Sequence, residues 1–170
     1  WALSAGGPAS GSAITLTPTV PGALTATVTV TDDGGCKASL ERRVDVRPDT
    51  TAPVVRAAGV EAGRAAGAAA LRVRFTLSEA GPVQLKLQRL KGGRRVGGRC
   101  VAKGRGKPCV RRVPVKSATV AGVAGVNRVA LLKALKLKRL APGRYRVEVL
   151  VRDAAGNRAQ VAVVAFTVRR

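Results

Sequence analysis

Two stretches 121 positions apart, PGALTATVTVTDDGG from Pro21 and PGRYRVEVLVRDAAGN from Pro142, repeat one pattern. Pro21 and Gly22 fall on Pro142 and Gly143, Leu24 on Tyr145, Val28 on Val149, Val30 on Val151, and Asp32 on Asp153. Each stretch opens on a Pro-Gly turn and closes on an Asp/Gly/Asn turn. Between the turns, every second residue is apolar: Leu24, Ala26, Val28 and Val30 in one, Tyr145, Val147, Val149 and Val151 in the other. A period of two gathers these side chains on one face of a strand, whereas helical geometry would scatter them round a cylinder. The chain is therefore committed to half-buried sheets. Another alternating segment follows each copy, Ser39 to Val46 after the first and Ala159 to Val168 after the second.

The prolines of RPDTTAPVV, Arg47 to Val55, bar helix and central ladder positions, so this segment reads as a linker with a boundary near Thr50. Two modules are expected, residues 1–49 and 50–170. In the second, Leu71, Val73, Phe75 and Leu77 alternate with polar residues, as do Val83, Leu85 and Leu87. Val110 to Val115 and Val126 to Leu132 read as further strands, and Glu61 to Ala70 as a Gly/Ala loop. The composition of Ala130 to Leu140 suits a helical turn or two. About seven short strands separated by turns point to an all-β protein built as tandem sandwiches. Composition agrees: 46% of residues are hydrophobic, nearly all Ala, Val or Leu, with Trp1, Phe75, Tyr145 and Phe166 the only aromatics. The longest apolar stretch, VAVVAF from Val161, is far short of the ~18 residues a membrane span needs. The opening WALSAGGPASGS lacks the charged and apolar regions of a signal peptide, so an export signal is expected to have been removed or to lie upstream.

Absent histidine excludes Ser-His-Asp and Cys-His catalysis and any His ligand. The adjacent acids Asp32 and Asp33 sit in a Thr-Asp-Asp-Gly-Gly turn, where such side chains cap their own backbone. A weak Ca²⁺ site there, with Asp45 or Asp49, is the alternative; Asp153 and Asn157 read as turn residues in the same way. Ser39, Ser78 and Ser117 stand in no recognisable motif. No catalytic residue, cofactor or metal is expected, and an enzyme working through Ser, Lys or carboxylates is the remaining alternative.

Three cysteines are too few for a structural zinc, and no Cys-X-X-Cys occurs. The segment between Cys100 and Cys109 contains Gly104, Gly106 and Pro108, residues that make a turn. The two cysteines are thus expected to face one another near the end of a hairpin and form a disulfide, with free thiols the alternative. Closing a ring of about ten residues is worth about 2.7 kcal/mol by chain entropy, and the bond implies an oxidising compartment, hence export. Cys36 has no evident partner within the chain; one upstream of Trp1 or on another chain is expected.

Charge is unevenly divided. Residues 1–50 carry a net charge of −1 and the remainder +23, and Lys86 to Lys116 holds twelve Lys or Arg and no acid. One reading of this 86–116 segment is a hydrated tip that discourages edge-to-edge pairing. The other is a prong in which Arg94, Arg95, Arg99, Lys103, Arg105, Lys107, Arg111 and Arg112 dock on an anionic wall polymer, polysaccharide or DNA, with strong salt dependence.

PGALTATVTVTDDGG resembles the closing half of a polycystic-kidney-disease-type (PKD) repeat, with Trp1 in the place of its aromatic strand residue; the likeness covers about the first 47 positions. The usual Gly-Asp-Gly after the tryptophan is replaced by ALSAGGP at Ala2 to Pro8. Residues 50–170, with TTAPVV, FTLSEAGPVQLKL, LAPGRYRV and RDAAGNRA, are similar to Ig-like modules at the C-terminal ends of exported actinobacterial proteins. These resemblances imply immunoglobulin-like β-sandwiches with no catalytic role, the first short of its opening strands. They also suggest that Tyr145 is a tyrosine corner. The expected work is that of an extracellular or cell-surface spacer or attachment unit. Its expected partners are other surface proteins or anionic wall polymer. Self-association through the open edge of the first module, as in a strand-exchanging filament or oligomer, is a further alternative.

Overall fold

The computed structural model describes residues 2–3, 9–13, 15, 20–62 and 71–169. The chain falls into two compact units, Trp1–Thr50 and Thr51–Arg170. Trp1, most of the ALSAGGP segment and residues 63–70 of the Gly/Ala stretch lie outside the described residues.

The first unit contains one antiparallel sheet, in the order β1 (Ala2–Leu3), β2 (Gly22–Thr31), β3 (Lys37–Val46). Pairing sets Leu24 opposite Val44 and Val28 opposite Leu40, so the alternating apolar residues do share a face. Burial of that face is less complete than the alternation suggests. Leu24 is buried and Ala26 and Val28 are half-buried, but Val30 is 62% and Leu40 67% exposed. A single sheet can shield one face only if a second layer covers it, and no further strand or helix of this unit appears among the described residues.

The second unit is an antiparallel β-sandwich. One sheet has the order β4 (Val55–Ala62), β5 (Leu71–Leu77), β9 (Gly125–Ala130). In the other, β6 (Gly81–Val96) pairs along one edge with β10 (Gly143–Val151), which carries β11 (Ala162–Val168), and along the other with β8 (Pro108–Gly122). A short β7 (Arg99–Val101) pairs with the far end of β6. Consecutive strands are thus shared between the layers as in immunoglobulin-type sandwiches. Val73, Phe75 and Leu77 from one sheet meet Val83, Leu85, Leu87, Tyr145, Val147, Val149 and Val151 from the other, and all are 3% exposed or less.

Several boundaries differ from the sequence reading. Glu61 and Ala62 belong to β4, which carries a bulge between Arg56 and Gly59, so the Gly/Ala loop starts later. β8 is much longer than Val110 to Val115 and is bulged opposite Leu87 and Gln88. The strand expected over Val126 to Leu132 stops at Ala130, and one helical turn, α1 (Leu131–Ala134), follows. The reason lies in three leucines. As strand neighbours, Leu131 and Leu132 would point to opposite faces and one would meet water; a helical turn lets Leu131, Leu132 and Leu135 all enter the core.

Two side chains pin corners of the sandwich. Tyr145, 2% exposed at the start of β10, donates its hydroxyl to the Ala141 carbonyl at 2.8 Å, and its ring stacks on Phe166 with centroids 5.7 Å apart. Asn127 is buried just beyond the turn from β8 to β9; its Oδ1 accepts from the Val123 N–H and its Nδ2 donates to the Val123 and Gly125 carbonyls.

The repeat extends to single hydrogen bonds. Leaving β2, the Asp32 carboxylate accepts from the Cys36 N–H at 2.7 Å, the Gly35 N–H donates to the Asp32 carbonyl, and the Asp32 N–H donates to the Cys36 carbonyl. Leaving β10, Asp153, Gly156 and Asn157 make the same three bonds. Gly35 and Gly156 have φ of 84° and 90°, and the glycines entering the two strands, Gly22 and Gly143, have φ of 137° and 151°. These are backbone conformations that a Cβ disfavours.

The second turn adds a charge dependence. Burial pushes the Asp153 carboxyl up, but the Asn157 amide and the backbone N–H groups of Asn157, Gly156 and Ala155 outweigh it, holding the group below its ordinary 3.8. A carboxyl whose pKa is depressed by folding contributes stability above its unfolded pKa and loses it as pH falls through the folded value. The melting temperature should therefore fall below about pH 4 more steeply in the native chain than in Asp153→Asn. Equal acid-side slopes, followed by circular dichroism, would contradict this assignment.

Candidate functional site

The candidate site is the end of β6 beyond the core, with β7 and the start of β8. Gly97 (φ 54°) and Gly98 (φ 78°) form a two-residue reversal between β6 and β7 in which both central residues are left-handed. This is where the chain turns back. Gly104, Gly106 and Pro108, which the sequence suggested as the turn, instead serve a crossing. Arg94 pairs with Val101 of β7 on one edge and with Pro108 of β8 on the other, so residues 102–107 carry the chain from one edge of β6 to its opposite edge.

The crossing is tight because glycines line it. A Cβ on Gly104 would lie 2.6 Å from the Val96 side chain and 3.7 Å from the Arg94 Cβ, and one on Gly106 would fall on the Arg95 carbonyl. The Arg95 N–H donates to the Lys107 carbonyl at 2.9 Å and fixes the exit. Cys100 and Cys109 are disulfide-bonded, with Cα atoms 6.0 Å apart. They are not cross-strand partners as a simple hairpin would have made them. Cys100 pairs with Arg95 and Cys109 with Gly93, and the bond spans β6 above Gly93, where a Cβ would sit 3.0 Å from the Cys100 Sγ. Alternation along β6 separates the two crossings. The disulfide lies on the face of the odd-numbered residues that continues from Leu85 and Leu87, and the 102–107 loop lies on the face of Arg94 and Val96.

The same alternation sorts the cations. Arg94, Arg99 and Arg112 share one face with Val96 and Val110; Arg95 and Arg111 share the other with the disulfide; Lys103, Arg105 and Lys107 ride on the crossing loop. All eight are exposed except Arg111, which is half-buried. Register adds a ninth cation that the sequence did not single out, since Lys91 stands directly opposite Arg111. Only the pairing of β6 with β8 reveals it. Arg89, one turn of the pleat closer to the core, is occupied structurally: its guanidinium lies 5.7 Å over the Tyr145 ring and donates to the Pro142 carbonyl at 2.7 Å. At the tip no acid is at hand. The ion pairs found among the described residues join Arg43 to Asp45, Arg74 and Arg128 to Glu61, and Arg146 to Glu148. Beside the bridge is a shallow hollow of about 490 Å³ lined by Cys100, Val110, Arg111, Arg112, Val113 and Pro114.

Of the acids considered as ligands, Asp32 and Asp153 accept from their own loops, and Asp45 pairs with Arg43. Cys36 is a free, exposed thiol in the β2–β3 turn, at the position Asn157 takes in the second unit. No helix among the described residues is long and apolar enough to cross a membrane.

No family model matches the chain, and no curated protein does. Among solved structures the chain is similar to the crystal structure of a tetra-tandem repeat in the extending region of a large adhesion protein, with 19% identity and a TM-score of 0.33. The match covers 88% of this chain and 32% of that one, so the chain spans about a third of the other's length.

Proposed function

We propose that this chain is a non-enzymatic structural and adhesive segment of an exported protein, serving as a spacer or surface-attachment unit, with a partial PKD-like module at 1–49 and an Ig-like module at 50–170. The observation that carries the reading is the covalent bridge at the tip of a sandwich with an apolar core. A disulfide outside any Cys-X-X-Cys context is maintained in oxidising compartments, and a small module placed there gains stability from it. The chemistry of the rest supports the same conclusion. The chain has no histidine to activate a nucleophile, and Asp32 and Asp153 accept hydrogen bonds from their own turns.

A spacer must resist being pulled open. In single-molecule stretching of the full chain, the Thr51–Arg170 unit should open in one cooperative step. Reduction should lengthen that step by about 25 Å, the contour of the chain between the bonded cysteines less the 6.0 Å that the bond already spans. Gradual yielding without a step would overturn the spacer reading, and an unchanged length after reduction would show the bond absent.

A further inference from the structure

We infer that the disulfide-locked tip formed by the end of β6, β7 and the start of β8 is a docking site for an anionic polysaccharide. The inference deepens the attachment reading and rests on it only for the compartment.

Electrostatics comes first. From Glu79 to Glu148 the chain has no acid between, and twelve cations fall within Lys86 to Lys116. Folding concentrates them. Lys91 and Arg111 are set directly opposite one another, an arrangement that is unfavourable for like charges, and the described ion pairs leave both without an acid. The tip therefore carries unrelieved repulsion that a bound anion would lower. Second, Arg111 and Arg112 both line the hollow beside the bridge, and the Arg111 Nε is buried without a hydrogen-bond partner among the described residues. An unpaired buried donor is costly, and an anion in the hollow that draws the half-buried guanidinium outward would relieve that cost. Third, the bridge and the bond from the Arg95 N–H to the Lys107 carbonyl fix the backbone that carries Lys103, Arg105 and Lys107, so little backbone ordering remains to be done on binding.

The residue types narrow the ligand class. Guanidinium groups present paired donors that match carboxylate, sulfate and phosphate oxygens. No aromatic residue occurs between Phe75 and Tyr145, so the tip offers no platform on which nucleic-acid bases could stack. An acidic glycan needs no such platform, and in an oxidising, extracellular setting glycans are the polyanions at hand.

The test uses the full oxidised chain on immobilised heparin and polygalacturonate across a range of salt. A tip variant combines Lys91→Gln, Arg95→Gln, Arg111→Gln and Arg112→Gln; a control removes the same charge elsewhere through Lys133→Gln, Lys136→Gln, Lys138→Gln and Arg139→Gln. Both are checked for native melting. The native chain should bind both glycans with affinity falling steeply as salt rises, and the tip variant should lose at least about tenfold with a shallower salt slope while the control loses less than about twofold. Equal losses in the two variants would reduce the effect to bulk charge and overturn the site. Stronger competition by duplex DNA than by either glycan would overturn the ligand class, and absence of binding at low salt would overturn the proposal outright. Unfolding steps under force do not depend on these charges, so the spacer reading and the docking reading fail separately.

Discussion

Phe75→Ala should destabilise the Thr51–Arg170 unit by about 3–5 kcal/mol, the range for removing a buried phenyl ring from a core. The expectation rests on what surrounds the ring. Phe75 is 0% exposed in the middle of β5, and the buried cluster it belongs to is otherwise made of Val, Leu and Ala with Tyr145. Valines are stiff about χ1 and strand backbones are tied into their ladders, so the cavity would stay largely open. Against a total stability of about 5–15 kcal/mol for a typical domain, this is a large share. Urea titration should show a lower midpoint with an unchanged slope. A loss under about 1 kcal/mol would mean that Phe75 does not fill the space between the sheets.

The second large effect is expected at the bridge. Cys100→Ser with Cys109→Ser should lower stability by about 2.7 kcal/mol if the bond acts through the entropy of the unfolded chain. Reduced native protein should match the double variant, since both lose the same constraint and the buried apolar core is untouched. The loss has a local side as well. The crossing loop is held on β6 by the Lys107 carbonyl and a long Arg94 contact to Gly106, so hydrogen exchange at Arg95 should accelerate first. Identical midpoints for oxidised and reduced protein would contradict a stabilising bridge.

Much of this architecture is legible in the amino-acid order because strand alternation is a local signal. The faces of β2, β5, β6 and β10 can be read residue by residue, and the offset of 121 carries over into matching hydrogen bonds in the two Asp turns. The bonded cysteine pair follows from counting and from glycine content. What could not be read depends on partners remote in sequence. Leu131 and Leu132 leave the strand pattern because the end of the core has room for both. Val30 and Leu40 alternate like core residues, yet alternation reports only that a face is apolar, not that a layer covers it. The path at the tip differs from a simple hairpin for a similar reason. Gly97-Gly98 and Gly104/Gly106 look equally suited to a turn, and only pairing of Arg94 on both its edges tells reversal from crossing. The division of the cations between two faces, and the meeting of Lys91 with Arg111, follow from that same register.

The bridge joins β7 to β8, two strands that each pair with the end of β6, and so fastens them to one another without passing through a ladder. A bond so placed keeps the tip shut even while the last rungs on β6 fray. Fraying of the β6 end and release of the crossing loop are therefore separate events, and only the second requires the sulfurs to part.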